Sequence, residues 1–516
     1  MPSVRTVLRC SAGRRLNVAH QHAARTAGEA KVLAEIQRFQ AVDFAHTDVR
    51  VGVVGGGLAG LYCAWLLNKA NIHVTLWEAS CEVGGRVRTL RDFAKNRLVE
   101  AGGEIIGLNH PRWLYLAKLF RLGMTSFTSQ EELDAEGYIQ PMILDGRRLS
   151  QQEMMQIEEA TNAVYLRISA EASQLTFPSQ PWLEPPHIQA LDLLSVADKF
   201  DEWGVVGTTR AMLDAQFLND NLLPTSEQSF LGLLCTVREG SDSPSAVSFW
   251  DAVERLRCST GNQSLAFNLA SEIPRVFLNS PVSSIQQSEC GCIHIGETER
   301  VDFVVLAVPP TVWPDIEIAN ENGPVDLSPY LPVMAPAMKL LSKTVNRFWF
   351  VPEVSPYGFN NAMGACWEAT DGQTVRMCEP QQIVFSMFAG SEEHALTRKK
   401  HMKQQINQLY KGRYKDAIIE TKSVRWYEEP YIKTGYSCWA VGKLQTVKNL
   451  NFPAPEFDNR LVFAGEATSP SFFGYQEGGL DSGARAAVEI LVLLSRLQNH
   501  LDFHSPFCSE ETIMME

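Results

Sequence analysis

No CxxC pair occurs among the eleven cysteines, and Cys290 and Cys292 form a lone CxC. This argues against a disulfide framework or a structural zinc site and makes a reducing compartment the default; no metal site is expected. No apolar run approaches the ~18–20 residues needed to cross a bilayer. The longest candidate, 486–494, reads as a buried helix. An excess of basic charge is also missing, since 46 Lys and Arg stand against 59 Asp and Glu, a net charge of −13. That disfavours a nucleic-acid binder working through phosphate neutralisation and mildly favours small cationic ligands. Low-complexity sequence is absent. With 45% hydrophobic and 20% charged residues, global disorder is excluded. At ~100–200 residues per domain, the length predicts two or three domains.

The first 48 residues lack acids until Glu29, whereas Arg5, Arg9, Arg14, Arg15 and Arg25 precede it. No apolar core follows, so a secretory signal is disfavoured. Two readings stay open: a solvated helical arm in a cytoplasmic protein, or a segment that targets an organelle.

Val51–Val54 is a short apolar strand running straight into Gly55, Gly57 and Gly60. Helical apolar spacing follows over 58–70, then a second strand over 73–77 closed by Glu78. In such a unit the first glycine permits the tight turn. The second lets backbone approach a pyrophosphate, and the third lets helix and strand pack closely. The helix N-terminus then faces the negative charge. Glu78 is placed to accept from ribose hydroxyls and disfavours a 2′-phosphate, leaving FAD or NAD. Gly84, Gly85 and Arg86, with Arg88 close behind, favour FAD: a second glycine pair beside arginines suits a long cofactor continuing past the first phosphate clamp.

Further along, 110–200 reads as mostly helical. Short strands are expected at 275–278, 292–295, 303–307, 338–350, 382–388 and 460–464, with a tail helix over about 479–497. The fold class is α/β: an FAD-binding Rossmann-like domain of the GR2 type with an inserted α+β substrate domain. The boundaries are an arm at 1–48; a discontinuous FAD domain at 49–130, 255–330 and 450–500; a substrate domain at 131–254 and 331–449; and a tail at 501–516.

Several separated motifs then agree in order: the glycine loop with Glu78, Gly84–Arg86, VEAGG at 99–103, LAVPP at 306–310, Lys339 upstream of Phe348 and Trp349, FAGE at 463–466, and GYQEG at 474–478. Over about residues 50–495 the chain resembles the flavin amine oxidase superfamily, which includes monoamine, polyamine and L-amino-acid oxidases.

The resemblance implies a two-domain flavoprotein in which Gly55, Gly57, Ala59, Gly60 and Glu78 hold the ADP half. Gly85, Arg86, Gly102 and Gly103 would line the path to the flavin, and Val282 would meet the adenine side. Glu466 would approach the ribityl and pyrophosphate region, with Gly465 and Gln476 in the same cofactor-binding set. Tyr436 and Tyr475 match the two walls of an aromatic cage, and Lys339 matches a lysine that holds a water near flavin N5. Covalent members carry a cysteine just before the first cage tyrosine. Gly435 stands there, so FAD is expected to be non-covalent. Glu104 is a candidate for a second positive charge on the substrate, and Trp367 for the cavity wall. The implied partners are a small amine or L-amino acid and O2, with no nucleic acid, no membrane span and a homodimer as candidate assembly. The arginine that grips a substrate carboxylate in many L-amino-acid oxidases is replaced by Glu104-Ile105-Ile106, which leaves Arg112 or Arg376 as substitutes. The same scaffold also carries desaturases, and a non-catalytic flavin binder is a further alternative.

Overall fold

The computed structural model of the chain describes residues 18–499, other than 43, 45–47, 129, 242–248, 251, 290, 297–298, 351–353, 374–381 and 397–398. Two sheets organise it. The first has five parallel strands in the order Leu461–Phe463, Phe303–Leu306, Arg50–Val54, His73–Trp77, Val276–Phe277. Its central strand is buried on both faces after Arg50, as its run of Val, Gly and Val requires. Strands from three distant parts of the chain therefore share one sheet. The chain leaves the central strand at Gly55 and the neighbouring one at Ala307, so the crevice between those exits is the expected ligand position in such a sheet.

Two helices cover the crevice side. Leu58–Lys69 follows the glycine loop and is almost wholly buried. The tail helix, Gln476–Asn499, packs against it closely, since a Cβ at Gly483 would lie 2.4 Å from the Ala59 carbonyl oxygen.

The second sheet has seven strands: Ile418–Arg425, Ala337–Thr344, Ile383–Gly390, Gly364–Glu368, Gly358–Asn360, Met142–Leu144 and Arg147–Arg148. The last two correct the helical reading of 110–200. Helices do occupy Pro111–Leu119, Gln130–Ala135 and Gln151–Ala172, but a hairpin interrupts them. Asp145 and Gly146 both have positive φ, 51° and 76°, the twist a two-residue hairpin turn demands. Beyond it, helices including Gly207–Asn221 and Phe230–Glu239 form a separate apolar cluster.

The N-terminal arm is helical over Val18–Ala41. Among its described side chains, Val32, Ile36 and Phe39 enter the same core as the helix after the glycine loop. The arm is thus docked along one face rather than solvated all round. Among the described residues no helix is long and apolar enough to cross a membrane.

Candidate active site

One cavity runs from the glycine loop, at Gly57, Leu58 and Ala59, past Gly84, Arg86, Gly102 and Gly103, to Tyr436 and Tyr475. The glycine loop divides its labour. A Cβ at Gly60 would sit 2.0 Å from the Gly55 carbonyl oxygen, so helix and turn touch there. A Cβ at Gly57 or at Gly465 would meet nothing within 4 Å. Both glycines line the cavity, so each keeps open a space that a ligand's phosphate or sugar can take. Glu78 lies below the loop. Its oxygens accept from the backbone N–H of Gly56 and of Ser80, each at 2.7 Å, and a carboxylate has lone pairs left for hydroxyls. Gly55 and Gly85 shape the turns, with φ of 112° and 56°. Val282 packs against the core that contains Trp77 and, like Glu78, stands outside the cavity wall.

Glu466 holds the far half together. Arg86 Nη1 donates to it at 2.6 Å and to the Gly435 carbonyl at 2.9 Å. Its other oxygen accepts from Ser437 Oγ at 2.6 Å and from the Gly474 N–H at 2.7 Å. Ser437 follows Tyr436 and Gly474 precedes Tyr475, so one carboxylate fixes the backbone beside both tyrosines. Gln476 is oriented by Trp113, whose Nε1 donates to its Oε1 at 3.1 Å.

Both tyrosines line the cavity. Tyr436 donates to the Asp220 carbonyl oxygen at 3.1 Å and stacks on Phe388, with ring centroids 6.3 Å apart and planes 17° from parallel. Burial first, then the nearby Asp220, pushes its phenol well up, so it stays protonated. Tyr475 meets the edge of His110 at 5.5 Å. His110 Nδ1 accepts from the Gly107 N–H, which places the ring proton on Nε2. Burial pushes this imidazole down to about 3, so it is neutral.

Lys339 is 2% exposed, on a strand buried on both faces. Its ammonium donates to Glu104 Oε2 at 2.7 Å and to the Glu100 carbonyl oxygen at 3.1 Å. Glu104 therefore does not stand free for a substrate charge. Its second oxygen accepts from Trp367 Nε1 at 3.1 Å and lies 3.2 Å from Arg257 Nη2. Burial alone would raise the Glu104 carboxyl, but Lys339 and Arg257 outweigh it and hold it below the usual range. Trp367 is fully buried behind Glu104 and is not among the residues that line the cavity.

Of the substitute arginines, Arg112 is committed elsewhere, paired with Glu35 at 2.9 Å and Asp481 at 2.9 Å. Arg376 lies outside the described residues. Cys438 lies on the cavity wall two residues after Tyr436, and Gly435 has no room for a side chain, since a Cβ would be 2.5 Å from that of Ala337. Sequence reasoning missed Phe388, Trp426, His110, Asp220, Glu254 and Arg257. All but His110 and Arg257 line the cavity, and no local pattern marks any of them.

Comparison with known proteins agrees with this geometry. Residues 58–491 match the model of the family described as flavin containing amine oxidoreductase. Amine oxidase [flavin-containing] A of Sus scrofa is 25% identical over 480 residues, covering 90% of this chain and 88% of that protein. Amine oxidase [flavin-containing] B of Homo sapiens is 24% identical over 479 residues, covering 87% of each. Among solved structures, putrescine oxidase bound to putrescine superposes with a TM-score of 0.71 at 18% identity, over 86% of this chain and 99% of that one. Cyclohexylamine oxidase from Brevibacterium oxydans gives 0.67 at 20% identity, over 87% and 100%. The chain belongs to the family of flavin-containing amine oxidoreductases and is an FAD-dependent enzyme that acts on amines.

Proposed function

We propose that the protein oxidises the CH–NH2 group of a small amine, and not of an α-amino acid, to an imine. Water hydrolyses the imine to a carbonyl compound and ammonia, and O2 takes the two electrons to give H2O2. The observation that carries the choice of amine is the charge of the cavity wall. Its two described cations, Arg86 and Lys339, are already paired with Glu466 and Glu104, while Asp220 and Glu254 also line it. An α-carboxylate would find two more acids and no unpaired guanidinium among the described residues. The neighbouring folds named for putrescine and cyclohexylamine oxidation fit an amine without a carboxylate.

When bound, FAD supplies the acceptor for a hydride equivalent from the carbon that bears nitrogen. The residues of the chain do the rest. Gly57 and Gly465 give room to the cofactor, Glu78 offers its carboxylate to ribose from behind the loop, Gly85 shapes the turn, and Gly84, Arg86, Gly102, Gly103 and Gln476 line its path. Tyr436 and Tyr475 present electron-rich faces that orient the amine. Because Tyr436 remains a phenol, the cage acts through its rings and not as a base. The apolar lining from Phe388, Phe473 and Trp439 excludes water and favours the neutral amine.

Anaerobic mixing of the yellow holoprotein with a panel of amines and a panel of L-amino acids tests this. Amines should bleach the flavin, faster as pH rises from about 7 to 9 while the free base grows. Bleaching by L-amino acids alone, or by neither panel, overturns the reading.

A further inference from the structure

The helix Val18–Ala41 precedes the residues that match the family, 58–491, so family membership assigns it no role. Its described part lies against the helix Pro111–Leu119. A Cβ at Gly28 would be 3.0 Å from that of Pro111, so the arm backbone meets that proline directly. Glu35 takes one edge of the Arg112 guanidinium, accepting from Nε at 3.4 Å and from Nη2 at 2.9 Å. A planar guanidinium gripped along one edge has a fixed direction. Its Nη1 faces the tail helix, 2.9 Å from Asp481 and 3.8 Å from Glu477. Glu477 is fully buried and accepts from the N–H groups of Arg112 and Trp113, each at 3.0 Å, which satisfies two donors of the first helical turn. Burial pushes its carboxyl up to about 7, against Arg112 and those two N–H groups. The guanidinium thus helps to keep it an anion. Successive residues of the tail are therefore held from one helix end: Tyr475 by the edge of His110, Gln476 by the indole of Trp113, and Glu477 by Arg112 and Trp113.

We propose that Glu35 and Arg112 are positioning residues for Tyr475, and that the N-terminal helix is thereby part of the active-site scaffold. This rests on the reading of Tyr475 as a wall that orients the amine. Glu35 sets the direction of the guanidinium, and the guanidinium anchors Glu477 and Asp481 at the start of the tail helix, directly after Tyr475. On the other side, Glu466 holds the Gly474 N–H at 2.7 Å. The tyrosine is thus pinned between one carboxylate before it and another after it. Without Glu35 the guanidinium is free to turn, and the first turn of the tail helix loses a fixed partner. A shift of ~1 Å in an orienting group can cost up to ~100-fold in rate. The glycine loop, Glu78 and the pair Arg86–Glu466 lie on other segments, so the cofactor should stay bound.

Variants of the holoenzyme, assayed with the fastest amine of the panel, test this. Glu35→Ala should keep its FAD and lose ~3–10-fold in kcat/KM, with Glu35→Gln, which keeps the size, falling between it and wild type. In the background of Tyr475→Leu, Glu35→Ala should cost less than ~2-fold, because the group it positions is gone. Its effect on the melting point should be the same in both backgrounds. Activity and stability then separate, which a merely structural role would not produce. Val32→Ala weakens the same helix at a buried apolar contact and leaves the ion pair, so it should lower the melting point with kcat/KM unchanged. Should Glu35→Ala not fold, Glu35→Gln in both backgrounds decides. An unchanged kcat/KM in Glu35→Ala, an equal loss in both backgrounds, a loss of FAD, or a loss in Val32→Ala as large as that in Glu35→Ala overturns the proposal. If Tyr475→Leu alone leaves amine turnover intact, the cage reading itself fails and takes the proposal with it, which distinguishes the two failures.

Discussion

Gly57 and Gly60 stand three residues apart in one motif and answer to different forces. At Gly57 the backbone φ is −74°, which any residue adopts, and no protein atom opposes a side chain. Gly57→Val should fold with a melting point near that of the wild-type protein stripped of FAD and purify without FAD, read by the loss of the yellow flavin absorbance. Gly60→Ala should instead destabilise the fold itself, by ~1–3 kcal/mol in denaturant unfolding, because its Cβ collides with backbone. Tyr475→Leu removes one electron-rich face, and kcat/KM for amines should fall roughly 10-fold or more while FAD content stays constant. Trichloroacetic acid precipitation checks the attachment of the cofactor: with Gly435 in place of a cysteine, the yellow colour should pass into the supernatant.

The glycine positions, Glu78 and the pair Gly465–Glu466 are visible in sequence because each is tied to a neighbour a few residues away. Glu104 shows the opposite case. Its motif placed it near the flavin, but only the convergence of Arg257, Lys339 and Trp367 shows that its charge is already matched.

The elements at the two ends of the chain meet through ion pairs. Glu35, on the N-terminal helix, accepts from Tyr62 at 2.9 Å and pairs with Arg112, which also holds Asp481 on the tail helix. Glu35→Gln should lower stability by about 2 kcal/mol, measured by urea unfolding, since a partly buried charged hydrogen bond is lost. The tail helix also carries Glu489, which burial first, against the opposing Arg485, pushes up to about 7. A carboxyl raised in the fold stabilises below its unfolded value, near 4.3, and loses that contribution as pH climbs through about 7. Glu489→Gln should thus match wild type near pH 5 and exceed it by ~1–3 kcal/mol near pH 8. Equal pH dependence of the two proteins counts against this account. The hairpin at 142–148 teaches the same lesson at this scale: the Asp-Gly turn was readable, but a helical context on both sides masked it.

Over the whole molecule, net charge of −13 and the acids on the cavity wall draw cations inward. The kcat/KM for a diamine should fall ~2–5-fold between low and 0.3 M salt, with kcat little changed, because screening weakens the approach and not the chemistry. Sequence alone made the dinucleotide loop and the strand–helix–strand unit around it legible, since these depend on local periodicity and short motifs, whereas the two tyrosines were singled out only through the family resemblance. The tertiary structure alone decided which charges neutralise which. Ion pairing depends on distance through space, and here Glu104 meets a partner 235 positions further along the chain, beyond the reach of any pattern along the chain.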